Sequence, residues 1–209
     1  HSHVSGDIYK LYTDASGGFN LFLGDSTGHG VTAALTTIIA DILLSQKVNA
    51  APCEVMTYIN DQLLDHLPSD RFMSAVLLQI REDGHLTIVN AGHPPVLILP
   101  ADAENPVLLS PPSRMLGLAQ SLLKSAEASY KLQPGDLGLL FTDGITEHPN
   151  SKGDLFGEAR LLQFLQEQRK IEVEALLEKL LMQLAQFASG TPADDDITAI
   201  AFRYETTKE

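Results

Sequence analysis

Apolar and polar positions along the chain change period several times, and each change marks an element. Two extended runs, Ile8-Tyr9-Lys10-Leu11-Tyr12 and Phe19-Asn20-Leu21-Phe22-Leu23, flank the turn cluster Asp14-Ala15-Ser16-Gly17-Gly18, which predicts a β-hairpin. The small and apolar residues from Val31 to Leu44 predict a buried helix. A second helix is predicted from Pro52 to His66, where Val55, Ile59, Leu63 and Leu64 recur at helical spacing. Three strand-like runs follow, Met73 to Ile80, Leu86 to Asn90 and Val96 to Leu99, separated by turns at Glu82-Asp83-Gly84 and Gly92-His93-Pro94-Pro95; they predict an antiparallel meander.

The segment from Asn105 to Gly117, rich in Pro and Ser, reads as a loose connection. An extended stretch around Ala126 to Leu132 and the turn Gln133-Pro134-Gly135-Asp136 lead to a strand from Leu137 to Phe141, which ends on Thr142-Asp143-Gly144. Amphipathic helices are predicted over Gly157 to Arg169 and Val173 to Phe187, and a last strand over Ile197 to Tyr204. Strands thus come in antiparallel groups and helices in two pairs, without the βαβ alternation of a parallel sheet. The expected class is α+β, with two mostly antiparallel sheets and helices outside them.

Composition narrows the function. With 209 residues and 44% hydrophobic positions, the chain can bury a sizeable core and reads as one domain. A formal charge of −13, with only 14 Lys and Arg, argues against a nucleic-acid surface, which needs clustered cations. The run from Val31 to Leu44 carries Thr32, Thr36, Thr37 and Asp41 and falls short of the ~20 apolar residues of a membrane helix. The single cysteine, Cys53, rules out an intrachain disulfide and reads as a helix-face residue, in keeping with a cytoplasmic location. Met73, Phe141 and Phe156 read as core.

Four acidic spots share one context, an aspartate at a strand edge or strand end, mostly beside glycine: Gly6-Asp7, Gly24-Asp25, Asp143-Gly144 and Asp194-Asp195-Asp196. Asp-Gly alone is a common turn pair. Carboxylates gathered at strand ends, however, repel one another, and a divalent cation relieves that repulsion. An oxygen-only donor set suits Mg²⁺ or Mn²⁺ better than zinc or copper, and adjacent glycines allow carbonyls or waters to come close.

The blocks Ser5-Gly6-Asp7-Ile8-Tyr9, Gly24-Asp25-Ser26-Thr27-Gly28-His29-Gly30, with Ala33-Ala34 in the helix after it, and Asn90-Ala91-Gly92-His93-Pro94-Pro95 stand in that order. They are followed by Leu132-Gln133-Pro134-Gly135-Asp136, Phe141-Thr142-Asp143-Gly144-Ile145-Thr146-Glu147, Phe156-Gly157 and Asp195-Asp196-Ile197-Thr198. This series resembles the PP2C-like metal-dependent phosphatase family, in its bacterial SpoIIE/RsbU-type branch, over essentially the whole chain. The resemblance implies a four-layer α/β/β/α sandwich and two divalent cations, Mn²⁺ or Mg²⁺. Matched by motif, Asp25 bridges both ions, the Ser26 carbonyl serves the second, Asp143 and Asp195 serve the first, and Asp7 supports the second. Asp25 and Asp143 would act in catalysis through a metal-activated water. Gly144, Asp196 and His29 stand as supporting neighbours, while His29 and His93 otherwise read as helix-start and turn residues. Eukaryotic relatives hold phosphate with an arginine near the N-terminus, whereas the first arginine here is Arg71.

The activity so implied is that of a protein serine/threonine phosphatase acting on a phosphorylated regulatory protein of the anti-sigma-factor antagonist type. The resemblance further implies an upstream receiver or sensor domain in the full-length protein, with control through the helices of Val31 to His66 and a homodimer as one route. A pseudophosphatase adaptor, binding a partner in sigma-factor control without hydrolysis, is the alternative; such relatives lose metal aspartates, and all four are kept here.

Overall fold

A computed structural model describes residues 5–28, 30–68, 70–120 and 127–206. The chain forms two compact units, one of residues up to His93 with Ser110–Lys131, the other of Pro94–Leu109 with the residues from Leu132 onward.

The first unit carries a five-stranded sheet in the order β1-β2-β3-β4-β7, where β1 is Asp7–Thr13, β2 Phe19–Ser26, β3 Met73–Ile80, β4 His85–Ala91 and β7 Glu127–Lys131. Every neighbouring pair is antiparallel. Helices α1, Val31–Ser45, and α2, Pro52–His66, cover one face. Pro52 opens α2, where a missing N–H costs nothing. Phe22, Leu77 and Val89 project from that face into a core with Ala40, Leu44, Met56, Ile59 and Leu63. Cys53 packs on its edge, as a helix-face residue should. The alternate positions Leu21, Leu23, Val76, Leu78 and Ile88 are buried as well. A sheet buried on both faces explains why Ala75 to Leu78 reads as an unbroken apolar run rather than an alternation.

The β1–β2 turn is built on one buried carboxylate. Asp14 Oδ1 accepts from Ser16 N (2.8 Å), Ser16 Oγ (2.6 Å) and Gly18 N (3.0 Å), and Oδ2 from Asn20 Nδ2 (3.0 Å) and Gln79 Nε2 (2.7 Å). A side chain at residue 18 would stand 2.6 Å from Oδ2, so Gly18 is required. Burial pushes the Asp14 carboxyl up, but the donors of Ser16, Asn20 and Gly18 outweigh it and hold the group well below the usual carboxylate range.

The second unit carries a four-stranded sheet, β6-β5-β8-β9, of β5 Val96–Leu99, β6 Val107–Leu109, β8 Leu137–Phe141 and β9 Ala199–Arg203. Its helices are α3, Asp143–Thr146, α4, Glu158–Glu167, and α5, Val173–Ala188. Leu97, Leu139 and Phe141 pack with Phe156, Leu161, Phe164 and the α5 stripe Leu176, Leu180, Leu184. Asp136 is fully buried and accepts from Ala101 N and Gln133 N, both at 2.9 Å, so this aspartate of the Gln133-Pro134-Gly135-Asp136 block anchors a turn.

The α+β class and the paired helices agree with the sequence reading, and Met73, Phe141 and Phe156 are buried. Three local expectations do not hold. The meander stops after β4: β5 pairs with β6 and β8 instead, because Gly92 at φ 69° and the two prolines turn the chain out of the first ladder. The segment from Asn105 contains β6, whose three residues are too few to show a period. The last strand, β9, runs over Ala199–Arg203 rather than from Ile197 to Tyr204. Among the described residues no helix is long and apolar enough to cross a membrane.

Replacing Asp14 by Ala strands several buried donors and should cost about 3 kcal/mol, seen as a lower midpoint in thermal or urea unfolding. The Asp14 carboxylate has its pKa depressed on folding, so its contribution is fully present above the unfolded value of about 3.9 and fades as pH falls below it. The stability gap between wild type and variant should therefore stay level from pH 8 to pH 5 and close in more acidic solution.

Candidate functional site

In the first unit the β1–β2 register sets Asp7 directly opposite Asp25 at the end of the strand pair. Directly opposed residues share a face, which puts both aspartates on one side of the sheet at its end. Ser26 follows, and its N–H donates to the Gly6 carbonyl at 3.0 Å. Its hydroxyl donates to the Ala33 carbonyl at 3.0 Å, inside the fold. The Ser26 carbonyl is thus the oxygen available beside the carboxylates. A Cβ at Gly6 would lie 3.3 Å from that carbonyl oxygen and 3.5 Å from Asp25 Oδ1, so both oxygens crowd the same spot over the Gly6 backbone. Gly24 is small for a different reason: a Cβ there would meet Met73 Cε at 2.6 Å.

In the second unit Asp143 opens α3 at the end of β8, and Asp195 lies in the loop before β9. The two present carboxylate oxygens within 4.8 Å of each other. Thr142 N donates to the Thr198 carbonyl and Thr198 N to Thr142 Oγ1, both at 3.0 Å, which locks the loop to the strand end. Asp143 is half-buried and Asp195 exposed. Burial first, and the Asp195 charge second, push the Asp143 carboxyl above its ordinary value, against a smaller opposing hydrogen bond from Gly144. Gly144 owes its identity to packing, since a Cβ would fall 2.0 Å from the Asp196 carbonyl oxygen. The Asp196 main chain thus packs on Gly144, and its N–H donates to Asp195 Oδ1 at 2.8 Å. A cavity of about 220 Å³ lined by Gly144, Glu147, His148, Leu155, Asp194 and Asp195 opens beside these groups.

All donors assembled in the two units are carboxylate or carbonyl oxygens, and the Asp143–Asp195 pair carries a repulsion that a cation would cancel. The set fits a hard divalent ion. His29 lies outside the described residues. His93 does more than pack in its turn: it is buried, and its Nδ1 lies 2.7 Å from Ser74 Oγ. Ser74, the partner of Asp25 across the β2–β3 ladder, escaped the sequence reading. The available signal was a lone hydroxyl in the run Met73-Ser74-Ala75-Val76-Leu77.

The family model described as Stage II sporulation protein E (SpoIIE) matches residues 15–205. The phosphoserine phosphatase RsbP of Bacillus subtilis (strain 168) is 28% identical over 203 residues, covering 93% of this chain and 48% of the relative. The phosphoserine phosphatase RsbU of the same organism is 24% identical over 155 residues, covering 73% and 46%. The chain thus spans less than half the length of either. The SiaA PP2C domain of Pseudomonas aeruginosa superposes with a TM-score of 0.86 at 23% identity, over 97% of this chain and 82% of that one. The RsbU and RsbW domains of Rv1364c from Mycobacterium tuberculosis superpose at 0.84 with 21% identity, over 100% and 57%. RsbX, in a complex with magnesium, superposes at 0.70 with 16% identity, over 96% and 87%.

Asp195→Asn should lower the Asp143 pKa part of the way, since burial still holds it up; carboxyl carbon NMR titration of the metal-free protein reads this directly. Gly144→Ala should push the Asp196 segment away from α3 and weaken Mn²⁺ binding by calorimetry, while the Phe141 and Leu161 core keeps the unfolding transition cooperative.

Proposed function

The chain belongs to the SpoIIE family, and from that membership we propose that it is a metal-dependent phosphatase domain that hydrolyses phosphoserine or phosphothreonine on a regulatory protein. One observation carries the reading: the aspartates of the family blocks stand as opposed or neighbouring carboxylates at strand ends, Asp7 with Asp25 and Asp143 with Asp195. Asp7, Asp25 and the Ser26 carbonyl would hold a cation in the first unit, and Asp143 and Asp195 would hold one in the second. Mg²⁺ or Mn²⁺ held there supplies the Lewis acidity that phosphate-ester hydrolysis needs. The protein's own contribution is to orient those oxygens: Gly6 and Gly144 let main chain and carboxylates crowd together, and the Thr142–Thr198 bonds keep the Asp195 loop on its strand.

The phosphoserine phosphatases among the relatives support a phosphorylated protein as substrate, and RsbU- and RsbW-type neighbours support one of the anti-sigma-factor antagonist type. In this reading the domain works in the cytoplasm as one part of a longer signalling protein that also holds a receiver or sensor domain. A homodimer belongs to the same reading. It is supported by Val31, Leu35, Ile38 and Ile42, which lie on one face of α1 and stay exposed.

The test is Mn²⁺-dependent hydrolysis of p-nitrophenyl phosphate and of a phosphoserine protein. Asp25→Ala and Asp143→Ala should each reduce kcat/KM by about a hundredfold or more, roughly 2.7 kcal/mol of barrier. An inactive wild type that still captures its phosphoprotein would instead identify an adaptor without catalysis.

A further inference from the structure

We propose that His93 is a positioning residue for Asp25, acting through the hydroxyl of Ser74; the inference rests on the reading of Asp25 as a cation ligand. Strands β2 and β3 are antiparallel, and Asp25 and Ser74 are direct partners across them. Such partners share a face with Cβ atoms about 4.5–5.5 Å apart, within reach of a hydroxyl-to-carboxylate hydrogen bond. Ser74 is 8% exposed and His93 5%, and their Oγ and Nδ1 atoms are 2.7 Å apart. Burying a hydroxyl and an imidazole costs free energy that an apolar pair of the same size would avoid, unless the two do something with their hydrogen bonds.

The imidazole reaches this place because its main chain is clamped. His93 N donates to Asn90 Oδ1 at 2.9 Å, and Asn90 Nδ2 donates to the His93 carbonyl at 3.0 Å. Gly92, at φ 69°, lies beside Ala75 of β3 in a parallel bridge, and a Cβ there would meet Met115 Cγ at 2.8 Å. The Asn90 to Pro95 block is thus a bracket that holds one ring against one serine.

The Ser74–His93 contact allows either direction, since a serine hydroxyl has a single hydrogen. In the proposed arrangement Nδ1–H donates to Ser74 Oγ, and the Ser74 hydrogen turns to the acceptor across the ladder, the Asp25 carboxylate. One carboxylate oxygen is then held and the other is left for the cation. Groups behind a ligand commonly set its orientation in this way.

Mn²⁺ binding to the whole chain, read from the electron paramagnetic resonance of free Mn²⁺, tests the proposal without depending on turnover. Ser74→Ala and His93→Ala should each weaken binding by about 10- to 100-fold. The double variant should bind no more weakly than Ser74→Ala alone, because both changes cut one chain of contacts. His93→Asn, whose amide nitrogen can stand near the former Nδ1, should recover most of the lost affinity. Wild-type affinity in Ser74→Ala, or losses that simply add in the double variant, would overturn the proposal while an active wild type leaves the phosphatase reading intact. A wild type that neither binds Mn²⁺ nor hydrolyses phosphoserine removes Asp25 as a ligand, and the proposal fails with that reading. Should His93→Ala not fold, the loss of one oxygen atom in Ser74→Ala decides the matter by itself.

Discussion

Repulsion between carboxylates at strand ends is the interaction around which both units are organised. Asp7 faces Asp25 across the last pair of the β1–β2 ladder, and Asp143 meets Asp195 where β8 gives way to α3. Like charges held close disfavour the ionised state, and at Asp143 the Asp195 charge adds to burial in pushing the carboxyl above its ordinary value. Neither pair is free to move. The first sits at the end of the β1–β2 ladder, where a one-residue slip would turn every side chain to the wrong side. The second is tied down by the Thr142–Thr198 bonds and by the contact of Asp196 with Gly144. Carboxylates held together in this way are suited to a divalent cation.

Other aspartates of the same chain show the contrast. Asp14 and Asp136 are more deeply buried than Asp143, yet each is surrounded by N–H groups, and each organises a turn. Their charge is fully used within the fold. What separates a structural aspartate from a candidate ligand here is therefore whether a further acidic residue stands beside it, and not the depth of burial.

The glycines beside the proposed ligands divide in the same manner. Gly6 and Gly144 permit oxygen atoms or main chain to approach, whereas Gly24 makes room for Met73 and Phe22. The cavity beside Asp195 is acidic, lined by Glu147, Asp194 and Asp195. The oxygen atoms of the first unit are thus placed by strand register, and α1 carries an exposed apolar face.

Much of this is legible without coordinates. Helix α2 and strands β3, β5 and β8 have the limits that their apolar periods predict, because periodicity is a local property that survives packing. The ordered blocks around Asp7, Asp25, Asp143 and Asp195 also identify the candidate ligands. Sequence could not show that β5 leaves the first ladder or that Val107–Leu109 is a strand, since pairing partners are chosen by distant residues and three positions carry no period. Nor could it show that Ser74 stands opposite Asp25 with His93 against its hydroxyl, or that Asp14 and Asp136 are anchors. Those facts depend on register and on which hydrogen-bond donors arrive from elsewhere in the chain, and only the folded sheet brings them together.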